Sequence, residues 1–210
     1  PDLMDGTVVI DTAPVKSEVA KWAQDILPEG RYYVGIVPTV GPEFLHDTGT
    51  GVDSAKADLF SKSIFLVDSL PGVPGDAVEL ASDLVKLLGA TAMLTDIIES
   101  DGLMASVDLL PKLVSAALLN ATVDQPGWQD KRKLAGRAYI AATSALMAQD
   151  DSESLRMLSL HNRENVSRSL DTMIAALQGL RDDIEQGNDE GIKVRLQAAQ
   201  KGRENWLNER

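Results

Sequence analysis

The hydrophobic pattern changes period near Asp96, and that change constrains the fold more than any other feature of the 210 residues. Before it, short β-branched runs alternate with amphipathic stretches of helical spacing, the rhythm of an α/β layer with parallel strands. After it, apolar residues fall at steps of three and four almost throughout, which predicts helices alone. The chain therefore reads as α/β followed by all-α, with one domain over residues 1–95 and a second over 96–210.

In the first domain, Val8-Val9-Ile10 is the first buried strand. It runs into Asp11-Thr12-Ala13-Pro14, with Pro14 expected in the first turn of a helix, where its missing N–H costs nothing. Val15, Val19, Trp22 and Ile26 give that helix one apolar face, and it stops before Pro28. Tyr32 to Val37 is the second strand, broken by Pro38 and Gly41-Pro42, and Glu43 to Val52 is an irregular loop. Ser63 to Val67 is the third strand, Asp76 to Leu88 a helix with Gly89 as its left-handed C-cap, and Ala90 to Leu94 the fourth strand. A first strand so near residue 1 lacks neighbours for a parallel layer, so further chain is expected upstream.

In the second domain the clearest run is Leu155, Leu158, Val166, Leu170, Met173, Leu177, Leu180 and Ile184. It describes a long helix with a single stripe, interrupted in pattern only at Asn162. Gly187-Asn188-Asp189 supplies a C-cap glycine and an N-cap in succession. The last helix carries Ile192, Leu196, Ala199 and Trp206 on one face. Helices this long with little chain left to cover them bury their stripe against a second copy, so a homodimer is expected.

Composition removes whole classes of function. A formal charge of −12 argues against nucleic-acid phosphates and against an anionic membrane surface as partners. With no cysteine there is no disulfide, thiolate nucleophile or Cys-based metal site. His46 and His161 are the only imidazoles, too few for a multi-histidine centre, and no metal site is expected. The apolar stretch Leu103 to Val123 is interrupted by Asp108, Pro111 and Lys112 and reads as a core helix, not a membrane span. No signal peptide is visible at Pro1-Asp2-Leu3-Met4-Asp5-Gly6, so a cytoplasmic address is expected.

A dinucleotide needs a glycine-rich turn between strand and helix, where the backbone approaches the pyrophosphate. Thr48-Gly49-Thr50-Gly51 and Gly72-Val73-Pro74-Gly75 do not have that context and read as loops. No Walker A sequence or Gly-x-Ser-x-Gly elbow occurs. What remains is Asp11-Thr12-Ala13-Pro14-Val15-Lys16 at the end of one strand and Gly35 to Glu43 at the end of the next. Ligands of open α/β sheets bind outside the carboxyl ends of strands, so by position these two segments either border one crevice or are ordinary strand-to-helix turns.

Those two segments resemble the D-x-x-S-V-K and G-G-H-P-M-x-G-x-E signatures of the prephenate and arogenate dehydrogenases. Leu87-Leu88-Gly89-Ala90, Glu99-Ser100-Asp101 and Leu110-Pro111 follow in the order of that family's L-G-A, E-H-D and S-H-L-P-H landmarks, and Asn162 to Trp206 is similar to its C-terminal helical pair. The resemblance implies an NAD(P)-dependent enzyme of tyrosine biosynthesis that removes hydride from the ring carbinol of prephenate or arogenate as carbon dioxide leaves. It implies the last strands of a Rossmann-like nucleotide-binding domain followed by a helical dimerisation domain, with the glycine-rich turn upstream of Pro1. Asp11, Thr12 and Ala13 are the residues it assigns to the NAD or NADP side. Lys16, Pro38, Thr39, Gly41 and Arg137 are those it assigns to a small carboxylate substrate.

The departures fall on the chemistry. The family's proton-accepting His is Val37 here, and the Ser of D-x-x-S is Pro14. The E-H-D histidine is Ser100, and S-H-L-P-H reads Asp108-Leu109-Leu110-Pro111-Lys112. Gly136-Arg137-Ala138-Tyr139 lies near the family's G-F-R-D segment without superimposing on it. His46 and Lys16 are the candidates for a replaced acid–base group. An inactive dimerisation or small-ligand-sensing module is the alternative function.

Overall fold

A computed structural model describes residues 3–47, 51–123, 125–146 and 152–209. The glycine loop at Thr48-Gly49-Thr50 lies outside them. Four strands, β1 (Val8–Asp11), β2 (Tyr32–Val37), β3 (Ile64–Ser69) and β4 (Thr91–Thr95), form one sheet in sequence order. β1 and β2 pair in parallel, as do β3 and β4, but β2 and β3 are antiparallel. The all-parallel layer read from the sequence is thus corrected to a mixed sheet. The reason is the connection from β2 to β3: its described residues form 3-10 turns at Pro42–Phe44 and Val52–Ser54 and no crossover helix. A parallel return usually runs through such a helix.

Alternation along the strands gives the sheet two different faces. On one, Val34, Ile36, Phe65 and Val67 pack against Ala77, Ala81 and Val85 of helix α2 (Gly75–Leu87). Small residues on α2 let the helix approach closely, and this is the apolar core of the domain. The other face carries Asp11, Tyr33, Gly35 and Asp68, and is the polar one.

Helix α1 runs from Ser17 to Ile26 and not from Pro14, which lies in the preceding turn. The start is moved by a cap from a distant helix, described below. Gly89 follows α2 at φ +81°, as its C-cap role requires. After β4, α3 (Ile97–Met104), a π-helical turn (Ala105–Leu109) and α4 (Leu110–Val123) continue one another. This combined helix is long and apolar enough by length and composition to cross a membrane. It also holds the buried Asp101 and a half-buried Asp108–Lys112 ion pair at 3.0 Å. Short helices α5 (Trp128–Leu134) and α6 (Arg137–Thr143) follow.

The single helix expected from Leu155 to Ile184 is two, α7 (Ser152–His161) and α8 (Arg163–Glu185), broken at Asn162. Asn162 is buried, and its side chain donates to Asp101 O at 2.7 Å while accepting from Asn165 Nδ2 at 2.9 Å. Those bonds hold it out of regular helix, as asparagine at an N-cap does.

Contacts divide the chain into two compact units, Pro1–Val166 and Ser167–Arg210. In the second, Gly187 adopts φ +62° and Asn188 Oδ1 accepts the N–H of Gly191 at 3.1 Å, making the expected turn into α9 (Asp189–Glu209). Arg195 of α9 pairs with Asp183 of α8 at 2.6 Å. Leu177, Ile184, Leu196 and Trp206 are exposed within this unit.

Candidate active site

The register of the sheet places Asp11 opposite Gly35, Gly35 opposite Asp68 and Asp68 opposite Thr95, so one row crosses all four strands. Gly35 is the gap in that row. A Cβ there would overlap Asp68 Oδ1 and come within 3.0 Å of Lys16 Cδ. The glycine is needed because the stem of Lys16 and the carboxyl of Asp68 both lie over its backbone.

Lys16 is fully buried, at 0% exposure. Its Nζ donates to Asp11 O, Asp11 Oδ2 and Ile36 O, each at 2.9 Å. An ammonium has three N–H donors, and all three are used. Burial pushes the Lys16 pKa below its ordinary value, and the hydrogen bond and charge of Asp11, then the charges of Asp68 and Asp101, act against it. Three oxygen acceptors at hydrogen-bond distance hold the charged form. Lys16 thereby ties the carboxyl end of β1 to that of β2.

The Asp11 carboxylate has donors on both oxygens. Oδ1 accepts the Ala13 N–H at 3.0 Å, and Oδ2 accepts from Lys16 and, at 3.1 Å, from the Tyr33 hydroxyl. Burial first, and then the Asp11 and Asp68 charges, drive the Tyr33 pKa upward, so the phenol stays protonated and donates.

Asp101, 2% exposed on α3, accepts the backbone N–H of Lys16 at 2.6 Å, that of Ser17 at 3.1 Å, and the Ser17 hydroxyl. A carboxylate at a helix N-terminus satisfies orphan donors and meets the positive end of the helix dipole. This is the cap that starts α1 at Ser17.

Asp68, 1% exposed, has no hydrogen-bond partner on either oxygen, and the Ser100 hydroxyl is buried and equally unpartnered. Burial raises the Asp68 pKa to about 6, opposed by the charge of Lys16.

The residues named from sequence divide between this site and the surface. Asp11 and Lys16 are at its centre. Thr12 is exposed and Ala13 half-buried at the end of β1. Pro38 and Thr39 are half-buried just beyond β2, where Thr39 Oγ1 donates to Ile64 O at 2.8 Å. Gly41 is buried with its N–H on Leu59 O at 2.7 Å, and a Cβ there would overlap Ser61 O. His46 is exposed in the following loop, and Arg137 is exposed at the start of α6. Val37 is buried in β2 and Leu109 fully buried in the π turn. Among the described residues no group of three or more His, Cys, Asp or Glu is arranged to hold a metal ion.

Tyr33, Asp68 and Asn162 were not singled out as polar site residues in the sequence. An Asp inside the apolar run Ile64–Ser69 was the available signal, since a strand buried on both faces admits a carboxyl only with a partner or a proton.

A polar cleft of about 420 Å³ opens beside Asp101, bounded by Ser17 and Lys21 of α1, Ile98 of α3 and His161 to Asn165 at the α7–α8 break. No glycine-rich strand-to-helix turn for a pyrophosphate occurs in the 210 residues.

Comparison with known proteins shows what the chain is similar to. Residues 98–198 match the family described as prephenate dehydrogenase, dimerization domain. Prephenate dehydrogenase of Bacillus subtilis (strain 168) is 25% identical over 191 residues, which cover 88% of this chain and 48% of that protein. The chain thus spans about half the length of that curated relative. Arogenate dehydrogenase of Synechocystis shares the fold at a TM-score of 0.77 and 20% identity, over 95% of this chain and 69% of that one. Prephenate dehydrogenase from A. aeolicus, solved in complex with hydroxyphenyl propionate and NAD+, shares it at 0.83 and 20% identity, over 97% of this chain and 68% of that one.

Proposed function

We propose that this chain, which is similar to the prephenate and arogenate dehydrogenases, is the substrate-side and dimerisation part of an NAD(P)-dependent oxidoreductase acting on a small carboxylate such as prephenate or arogenate. In this reading residues 1–95 complete a Rossmann-like domain and residues 96–210 form the dimerisation domain of a cytoplasmic homodimer without nucleic-acid or membrane partners. The observation that carries it is the Lys16 clamp. Its bonds to Asp11 and Ile36 bring the two family-like segments, twenty residues apart, to one end of the sheet. That end is where ligands of α/β sheets lie.

Bound NAD(P) would supply the hydride acceptor. This chain's own contribution is to hold the two strand ends, to present Thr12 and Ala13 beside them, and to offer Pro38, Thr39 and Arg137 toward the substrate. Lys16 has no free donor, so it is a positioning residue here.

The inactive-module reading rests on a specific observation. Val37 and Leu109 stand where the family pattern has histidines, and both are packed away from solvent. Neither can accept a proton. The test is NAD(P)H formation from prephenate and from arogenate by the longest natural polypeptide that contains this chain, with NAD+ and NADP+ binding measured by calorimetry. Turnover supports the enzyme. Absence of both turnover and dinucleotide binding rejects it in favour of the module.

A further inference from the structure

The helix that runs from α3 through α4 separates two parts of the first compact unit. Its base is fixed where Asp101 caps α1, and its tip where Thr122 Oγ1 and the Tyr139 hydroxyl lie 2.7 Å apart. At a rise of 1.5 Å per residue the stretch from Asp101 to Thr122 is about 30 Å long, so a molecule bound at the tip does not touch the Lys16 end of the same chain. At that tip α4, α5 and the start of α6 enclose a cavity of about 330 Å³, lined by Trp128, Leu134, Tyr139 and Lys131 among others. That is the small end of the range of small-molecule sites.

The walls suit an apolar body. Thr122 has one hydroxyl proton, and Leu118 O takes it at 2.7 Å. The Tyr139 hydroxyl is therefore the donor to Thr122, and this polar pair is satisfied without a ligand. The half-buried Trp128 and Tyr139 rings lie 5.7 Å apart at 44°. The charge nearby is of one sign. Although the chain as a whole carries −12, Gln125 to Tyr139 hold four basic side chains and one acidic, Asp130, which pairs with Lys133 at 2.9 Å. The Lys131 ammonium has no ion-pair or hydrogen-bond partner among the described residues. Its stem folds back over Gly127, where a Cβ would lie 3.9 Å from Lys131 Cε, toward the end of α5 that carries Trp128.

We propose that this cavity is a binding site for a small apolar monocarboxylate, its body against Trp128, Leu134 and Tyr139 and its carboxylate on the Lys131 ammonium. The unpaired ammonium selects an anion over a neutral molecule of the same shape. A dianion such as a phosphate ester is a poorer match, because Lys131 is the single cation lining the cavity. The proposal does not rest on the oxidoreductase reading, since no residue of the sheet end takes part.

The measurement is the indole N–H resonance of Trp128 in the full chain, identified by its loss in W128F, during titration with 2-naphthoate and with the neutral 2-naphthamide. A saturable shift is expected with both, with naphthoate binding about fivefold more tightly, the size of an exposed charge pair. That advantage should disappear in K131M, persist in K131R and shrink as sodium chloride is raised. K131M should fold as the parent does, because Lys131 is exposed and unpaired. Equal affinity for the acid and the amide in the parent overturns the proposal, and so does a naphthoate advantage that survives K131M. A Trp128 resonance that neither compound moves overturns it too, whether the cavity is closed or a second copy fills it.

Discussion

Asp101 accepts the backbone N–H of Lys16 at 2.6 Å across 85 positions of sequence, so a residue of α3 decides where α1 begins. The same carboxylate takes the Ser17 N–H and hydroxyl, and its own backbone carbonyl is held by Asn162. One residue thus joins the sheet-capping helix to the α7–α8 break.

Replacing Asp101 by Ala should cost about 2–3 kcal/mol, more than an ordinary N-cap loss, because three donors would lose their acceptor in a buried place. Urea unfolding followed by circular dichroism reads this directly. A cost below about 0.5 kcal/mol would mean that solvent replaces the cap.

Gly35→Ala should destabilise by roughly 3 kcal/mol, as overpacking against groups that cannot move without breaking the Lys16 clamp. Gly75→Ala is the control, since a Cβ there meets nothing within 4 Å. It should be neutral or slightly stabilising through helix propensity. Similar unfolding midpoints for the two variants would contradict the close approach over Gly35.

Lys16→Met should lose about 3–5 kcal/mol, the range for removing one partner of a buried ion pair. Lys16→Arg should not restore it, because a planar guanidinium cannot place its donors on three acceptors gathered around one nitrogen. Adding Asp11→Asn to Lys16→Met should recover part of the loss, and a double-mutant cycle measures how much. Full stability of Lys16→Met would remove the clamp from the account.

The Asp68 carboxyl sets a pH dependence with a definite sign. Its folded pKa, about 6, lies above the ordinary 3.8 because burial opposes the charge. The folded state therefore binds this proton more tightly than the unfolded state does. The group exacts no penalty below about pH 3.8, an increasing one between there and 6, and its full penalty above 6, at most ~3 kcal/mol. Asp68→Asn should be more stable than the parent at pH 7.5 and lose the advantage toward pH 4. Chemical denaturation at several pH values checks this, and parallel curves for parent and variant would refute it.

A homodimer through the helical region should give roughly twice the 22.6 kDa chain mass in light scattering. Leu170→Asp with Leu177→Asp should dissociate or unfold it, since both lie on the α8 stripe and Leu177 is exposed within its own unit. A monodisperse monomer from the parent chain would rule out this mode of burial.

The amino-acid sequence by itself determined the elements: four strands, the helix ended before Pro28, the Gly89 and Gly187 caps, and the purely helical second half. Local periodicity and turn chemistry are enough for these, because each depends on neighbours a few residues away. It also showed that Asp11 to Lys16 and Gly35 to Glu43 follow strand ends. Tertiary structure decided the rest. The β2–β3 direction depends on a connection without a crossover helix, the start of α1 on an acceptor 85 residues distant, and the break at Asn162 on Asp101. The states of Lys16 and Asp68 depend on which oxygens the cross-strand register brings around Gly35. Burial and partner supply fix the energy of a charge, and both are properties of the packed sheet that no local window of sequence contains.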